Sequence, residues 1–191
     1  PLGCLIILLY CFAAFLQLDW GIPNNNHPFS YHMDEWAQAH SLRTTFKNGT
    51  PHIWGGGNGM VFFYVIGGIL LAPFVIVGIV NPFIIKSSLL FMSEQHKLFE
   101  ILRLQSVLYA VLSIILISYI AKKFLKANAI VAASFFTLTP LFLTLTVFYR
   151  YDTPVVFWLL LSLVFFYRYH ETPTKKNFLL AGIIAALTIT I

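Results

Sequence analysis

Two adjacent carboxylates, Asp34 and Glu35, stand in the run His32-Met-Asp-Glu-Trp36 and open a segment, Met33–Lys47, with helical spacing of Trp36, Ala39, His40 and Arg43. Lys47, followed by Asn48-Gly49, fits the carboxy-terminal end of that helix. Acidic residues in a first turn have an ordinary role, because they complement the positive end of the helix dipole. A carboxylate kept ionised there is also well placed to accept a proton from a substrate hydroxyl. Arg103 sits where an apolar run begins at Leu104. An arginine in that position either snorkels to headgroups or grips phosphate oxygens with its planar fork. The third constellation, Tyr149-Arg150-Tyr151-Asp152-Thr153-Pro154, wedges opposite charges between two apolar runs. It is either a tight interfacial turn or a place where costly charges are kept because they are used.

The other polar residues point to less. Gly49–Gly59 has the backbone freedom of a close-approach loop but lacks the spacing and strand-to-helix setting of a nucleotide-binding loop. His52 in that stretch reads as a loop histidine and is kept among the substrate-facing candidates. The six histidines are scattered, and His27, His32 and His40 do not have the spacing of a zinc site. Asn48-Gly49-Thr50 matches a glycosylation acceptor formally, with Pro51 after it. Cys4 and Cys11 share a helix face as small apolar residues, without sign of a disulfide.

These residues are set among apolar runs. The chain is 59% hydrophobic and only 10% charged, with a mean hydropathy of +0.81, against about 25% charged for a soluble domain. Most of it therefore belongs in lipid. The net charge of +5 comes mostly from lysines beside apolar runs, the placement that sets membrane orientation, and does not suggest nucleic-acid binding. Spans need roughly 20 apolar residues. Candidates are Leu2–Leu18, Leu104–Ala121, Ala127–Phe148, Pro154–Tyr169 and Phe178–Ile191, the last cut short by the end of the sequence. Leu2–Leu18 reads as a retained helix, since it has neither a basic leader nor a small-x-small cleavage site.

Met60–Val80 is apolar enough for a further span, but Gly67-Gly68, Pro73 and Gly78 weaken a straight helix. If it crossed, Lys122, Lys123 and Lys126 would face outside with Arg168, Lys175 and Lys176, against the positive-inside rule. It is expected instead to dip into the outer leaflet within a long outer segment, 19–103. The expected fold is an all-α polytopic transmembrane bundle, with juxtamembrane helices in its first outer loop. The whole chain, 1–191, then belongs to one transmembrane domain, and Asp34, Arg103, Arg150 and Asp152 share one side of the membrane.

The order of these features resembles the polytopic GT-C glycosyltransferases that use polyprenyl-phosphate sugars. The series is an apolar helix, a loop with Asp34-Glu35, Gly49-Thr-Pro51, a dipping helix, Arg103-Leu-Gln-Ser106 and Tyr149-Arg-Tyr-Asp-Thr-Pro154. It is most similar to the amino-terminal part of the dolichyl-phosphate-mannose protein mannosyltransferases and of the lipid A aminoarabinose transferases. The resemblance implies that Asp34 is the catalytic aspartate, with Glu35 beside it, and that Arg103 handles the lipid phosphate. It implies that Asp152 is the second acidic position, with Arg150 as its neighbour. One departure concerns substrate recognition: relatives often carry an acidic residue and a His-Pro-Pro or Lys-Pro-Pro element where this chain has His52-Ile-Trp-Gly-Gly-Gly-Asn58.

The reaction so implied moves a sugar from a polyprenyl phosphate to an acceptor hydroxyl with inversion, the acceptor being a protein, lipid or glycan. A carboxylate is a weak base for an alcohol, so the proton would reach Asp34 late, as the glycosidic bond forms. No cofactor is called for, although one branch of the superfamily uses a divalent metal. The implied setting is a multi-pass protein of a bacterial inner membrane, a plasma membrane or the endoplasmic reticulum, working on the outer or lumenal face. A transporter would place charges at mid-depth in the spans, which here are nearly free of charge. A non-catalytic membrane subunit with the same fold remains an alternative on sequence grounds.

Overall fold

A computed structural model describes residues 2–24, 26–27, 30–48, 61–81 and 92–189. Among them every regular segment is a helix: α1 Leu2–Phe15, α2 Met33–Asn48, α3 Val61–Ile76, α4 Met92–Lys123, α5 Ala129–Thr137, α6 Pro140–Thr146, α7 Asp152–Glu171 and α8 Lys175–Ile189. α4 and α7 are each long and apolar enough to cross a membrane, and the bent pair α5–α6 makes a third crossing if it acts as one span. The all-α expectation is met.

The details depart from the hydropathy pattern for local reasons. α4 has 32 residues, not only the apolar stretch after Leu104. At 1.5 Å per residue it is about 48 Å long, more than the roughly 30 Å of a hydrocarbon core. The apolar run Ala127–Phe148 is two helices bent by 67°. Asn128 starts the first by accepting from the backbone N–H groups of Ile130 and Val131. Pro140 ends it, because proline holds the preceding Thr139 in an extended conformation (φ −68°, ψ 113°) and opens the second helix at its first position. α1 covers 14 residues and α8 covers 15, both shorter than a full crossing.

Two of the apolar clusters do most to tie the bundle together, beside a smaller one of Ala14, Leu18 and Val107. Tyr10 of α1 packs with Ala110 and Ile114 of α4, Ala133 of α5 and Phe142 of α6, and its hydroxyl bonds that of buried Thr146. The other cluster lies around the amino-terminal part of α4, where Leu98, Phe99, Ile101 and Leu102 meet Ile22, Ala39, Leu42, Leu71, Val80 and Tyr149. α3 joins this cluster through Leu71, Phe74 and Val75. A Cβ on its Gly67 would stand 2.6 Å from the Tyr149 hydroxyl and 3.0 Å from Gln105 Oε1, so glycine permits the close approach. Many large apolar side chains face outward, among them Leu8, Phe12, Ile69, Phe135 and Leu159, as a lipid-facing surface requires.

At the opposite end of α4, Phe124 stacks on Tyr167 near the end of α7 at 4.6 Å, and Tyr169 meets Phe178 of α8. Lys122, Lys123, Lys126, Arg168, Lys175 and Lys176 therefore gather at one end, and Asp34, Arg103 and Arg150 at the other. A single crossing by α3 would separate Glu35, before it, from Arg103, after it, yet these two side chains are in contact at 2.7 Å. In a background lacking Cys4 and Cys11, Lys122→Cys and Lys176→Cys should react with an impermeant thiol reagent from one side of the membrane. Asp19→Cys should react from the other, and labelling of all three from one side would refute this arrangement.

Candidate active site

α2 begins with Asp34 and Glu35 in its first turn, and successive residues of a helix point about 100° apart. One carboxylate therefore turns inward while its neighbour faces out. Glu35 is fully buried, as is Arg103 of α4. The guanidinium holds Glu35 with both prongs, Nε donating to Oε1 at 2.7 Å and Nη2 to Oε2 at 2.7 Å. The backbone N–H of Tyr149 donates to Oε1 at 2.8 Å, and the Ser30 hydroxyl donates to Oε2. Arg103 Nη1 donates to the carbonyl oxygens of Leu18 and Trp20, and the cation lies 5.4 Å from the centre of the Phe148 ring. The pair joins four stretches of chain: the end of α1, the start of α2, α4, and the link between α6 and α7. Taking two charges out of water is costly, and the surrounding hydrogen bonds are what make such a pair tolerable.

Above it lies a second, more open constellation. The Asp34 side chain is 50% exposed and its Oδ2 is 3.2 Å from Arg150 Nη2. Arg150, whose side chain is 14% exposed, also places Nε 2.9 Å from Asp152 Oδ2 and Nη1 2.8 Å from His32 Nε2. His32 Nδ1 is 3.9 Å from Asp34 Oδ2. Aromatic contacts shape the surroundings, with Trp20 against both Tyr31 and Phe148 and His32 4.9 Å from Phe148. Gly21 allows the chain to double back here: its φ is +67°, and Tyr31 lies where a Cβ would go. Further along α2, burial lowers the proton affinity of the Arg43 guanidinium, which nonetheless stays cationic.

Of the residues expected to form a site, Asp34, Arg150 and Asp152 converge. Glu35 and Arg103 meet each other instead, in a buried pair that exposes neither charge. The reason is the helical rotation that sends Glu35 toward α4, combined with a guanidinium whose three nitrogens are all engaged. His52 lies outside the described residues. Among the described residues, no three His, Cys, Asp or Glu side chains form a metal-binding group. His32 belongs to the constellation and is quoted in the motif above, but spacing assigns it no role. Ser30 and the Tyr149 amide left no signal, because a loop hydroxyl and a backbone N–H acquire partners only through folding.

Among the described residues every regular segment is helical and two or three helices can cross a membrane, with a carboxylate–guanidinium constellation at one end of them; this is an integral membrane protein with a built polar site. The chain belongs to the dolichyl-phosphate-mannose-protein mannosyltransferase family, whose model matches residues 77–191. It is thus a membrane glycosyltransferase by family; the match includes Arg103, Arg150 and Asp152 and starts after Asp34 and Glu35. No curated protein and no solved structure matches the chain.

Removing either half of a buried ion pair leaves the other charge uncompensated, at a cost of about 3–5 kcal/mol. Glu35→Ala and Arg103→Ala should each lower the thermal unfolding temperature of the full-length protein strongly. The double variant Glu35→Leu/Arg103→Met should lose much less than the sum of the two. Additive losses would show that the pair does not hold these segments together.

Proposed function

We propose that this chain carries the catalytic end of an enzyme that transfers a sugar, with inversion, from a polyprenyl phosphate to an acceptor hydroxyl on the outer or lumenal face of a membrane. The observation that carries the reading is Arg150, set between half-exposed Asp34 and the less exposed Asp152. The acceptor oxygen attacks the anomeric carbon as the bond to the phosphate oxygen breaks. Asp34 takes the hydroxyl proton, and the lipid phosphate departs with the bonding pair. An arginine has five N–H donors, so Arg150 can keep its carboxylate contacts while donating to phosphate oxygens as charge develops on them. Asp152 keeps the guanidinium in place or orients the acceptor.

In this reading Glu35 and Arg103 are positioning residues. They act by fixing the first turn of α2 against the Tyr149–Arg150 backbone, so Asp34 and Arg150 face each other. The donor named by the family, dolichyl-phosphate mannose, is the first to test; a protein or glycan is the corresponding acceptor class.

A positioned base contributes about 10²–10⁴-fold to rate. Asp34→Asn should therefore reduce kcat by at least about 10²-fold while the protein still inserts and melts as the parent does. Arg150→Ala should mainly weaken use of the lipid-phosphate donor. Transfer by Asp34→Asn at the parent rate would remove Asp34 from the mechanism.

A further inference from the structure

We infer that His32 is a positioning residue that holds Arg150 only while its imidazole is neutral, so that acid uncouples the guanidinium from the site. This rests on the reading of Asp34 and Arg150 given above. The geometry is specific. Arg150 Nη1 lies 2.8 Å from His32 Nε2. A guanidinium has donors and no acceptor, so Nε2 must be the acceptor and the ring proton must sit on Nδ1. That Nδ1–H is on the side of Asp34, with Oδ2 at 3.9 Å. The groups facing the ring are Arg150 from the link before α7, Asp34 from the first turn of α2, and the ring of Phe148 at 4.9 Å. Asp152 lies beyond Arg150, against its Nε.

Protonation from solvent puts a hydrogen on Nε2 and removes the lone pair that accepts from Arg150. Two cationic donors then face each other, while the same charge draws His32 toward Asp34. Asp34 thereby exchanges an arginine partner for a histidinium, and Arg150 is left with Asp152 alone of its three acceptors. The sign follows from the geometry: the ordered site needs neutral His32 with Nε2 free to accept, and it is lost when acid protonates the ring.

The test uses the full-length protein in nanodiscs with dolichyl-phosphate mannose as donor, compared at pH 7.5 and 5.5. The parent should show a donor KM about tenfold higher at the lower pH, as expected for loss of one charge-assisted hydrogen bond. His32→Gln, whose amide oxygen accepts from Arg150 without titrating, should change by less than about threefold over the same interval. His32→Phe should carry a KM raised by about tenfold at both pH values. A parent-like acid rise in His32→Gln, or a parent-like KM at pH 7.5 in His32→Phe, overturns the assignment. A separate readout needs no activity: in 15N-histidine-labelled protein, the His32 signal, identified by its loss in His32→Gln, should report the Nδ1–H tautomer at pH 7.5. The Nε2–H tautomer or a charged ring there also overturns it. If the parent transfers no mannose at either pH, the transferase reading fails for this donor, and the tautomer alone decides the role of His32.

Discussion

The arrangement of the polar end depends on one buried ion pair. Glu35 and Arg103 are fully enclosed, and every oxygen and nitrogen of their charged groups has a partner. Such a pair adds little net stability over apolar residues of the same shape, but it tolerates few alternatives. Only one placement of α2 against α4 satisfies the two prongs of the guanidinium, and only one placement of the Tyr149 amide completes the carboxylate. Local helix propensity could not supply this order, since α2 is short and mostly polar. The pair converts four separate stretches of chain into one mount, on which Asp34 and Arg150 sit.

Adjacent carboxylates have thus been given different environments by a rotation of about 100°. Glu35 loses all contact with solvent and gains fixed donors, which suits a structural anion. Asp34 keeps half its side chain open to solvent. A carboxylate and a guanidinium at 3.2 Å ordinarily hold one another as a simple ion pair. Here the cation is divided among Asp34, Asp152 and His32, so no single partner holds it. Charge fixed in this way needs little reorganisation when it meets an anionic group, unlike the dipoles of water.

The membrane explains the remaining design. Charges are confined to the ends of α4 and α7, and the interior between them is held by apolar contacts and by hydroxyls bonded back to the helix, as with Ser113, Ser118 and Ser162. The bend at Pro140 brings the end of α6 back toward α4, where the Ser106 hydroxyl donates to the Phe148 carbonyl at 2.6 Å. That contact delivers the Tyr149 amide to the Glu35 carboxylate and Arg150 to Asp34. α3 covers the same end through Leu71 and Gly67, which closes the apolar cluster beneath the site.

Sequence alone determined the helical class, the lipid environment and the polar segments, because apolar runs of span length and clustered lysines reflect transfer free energies that do not depend on the partners. It also singled out Asp34, Arg150 and Asp152 as candidates, since charges at membrane edges are costly enough to be noticed, and the order of its motifs pointed to the family. Tertiary structure decided which charge meets which. Arg103 and Glu35 carry the same chemical groups as Arg150 and Asp34, and nothing in their spacing separates a buried pair from an open one. That distinction comes from the facing of two helices 68 residues apart in sequence, and from a backbone amide at Tyr149 that any residue but proline would supply. His32 likewise became part of the site only when folding placed a donor-only guanidinium against its ring nitrogen.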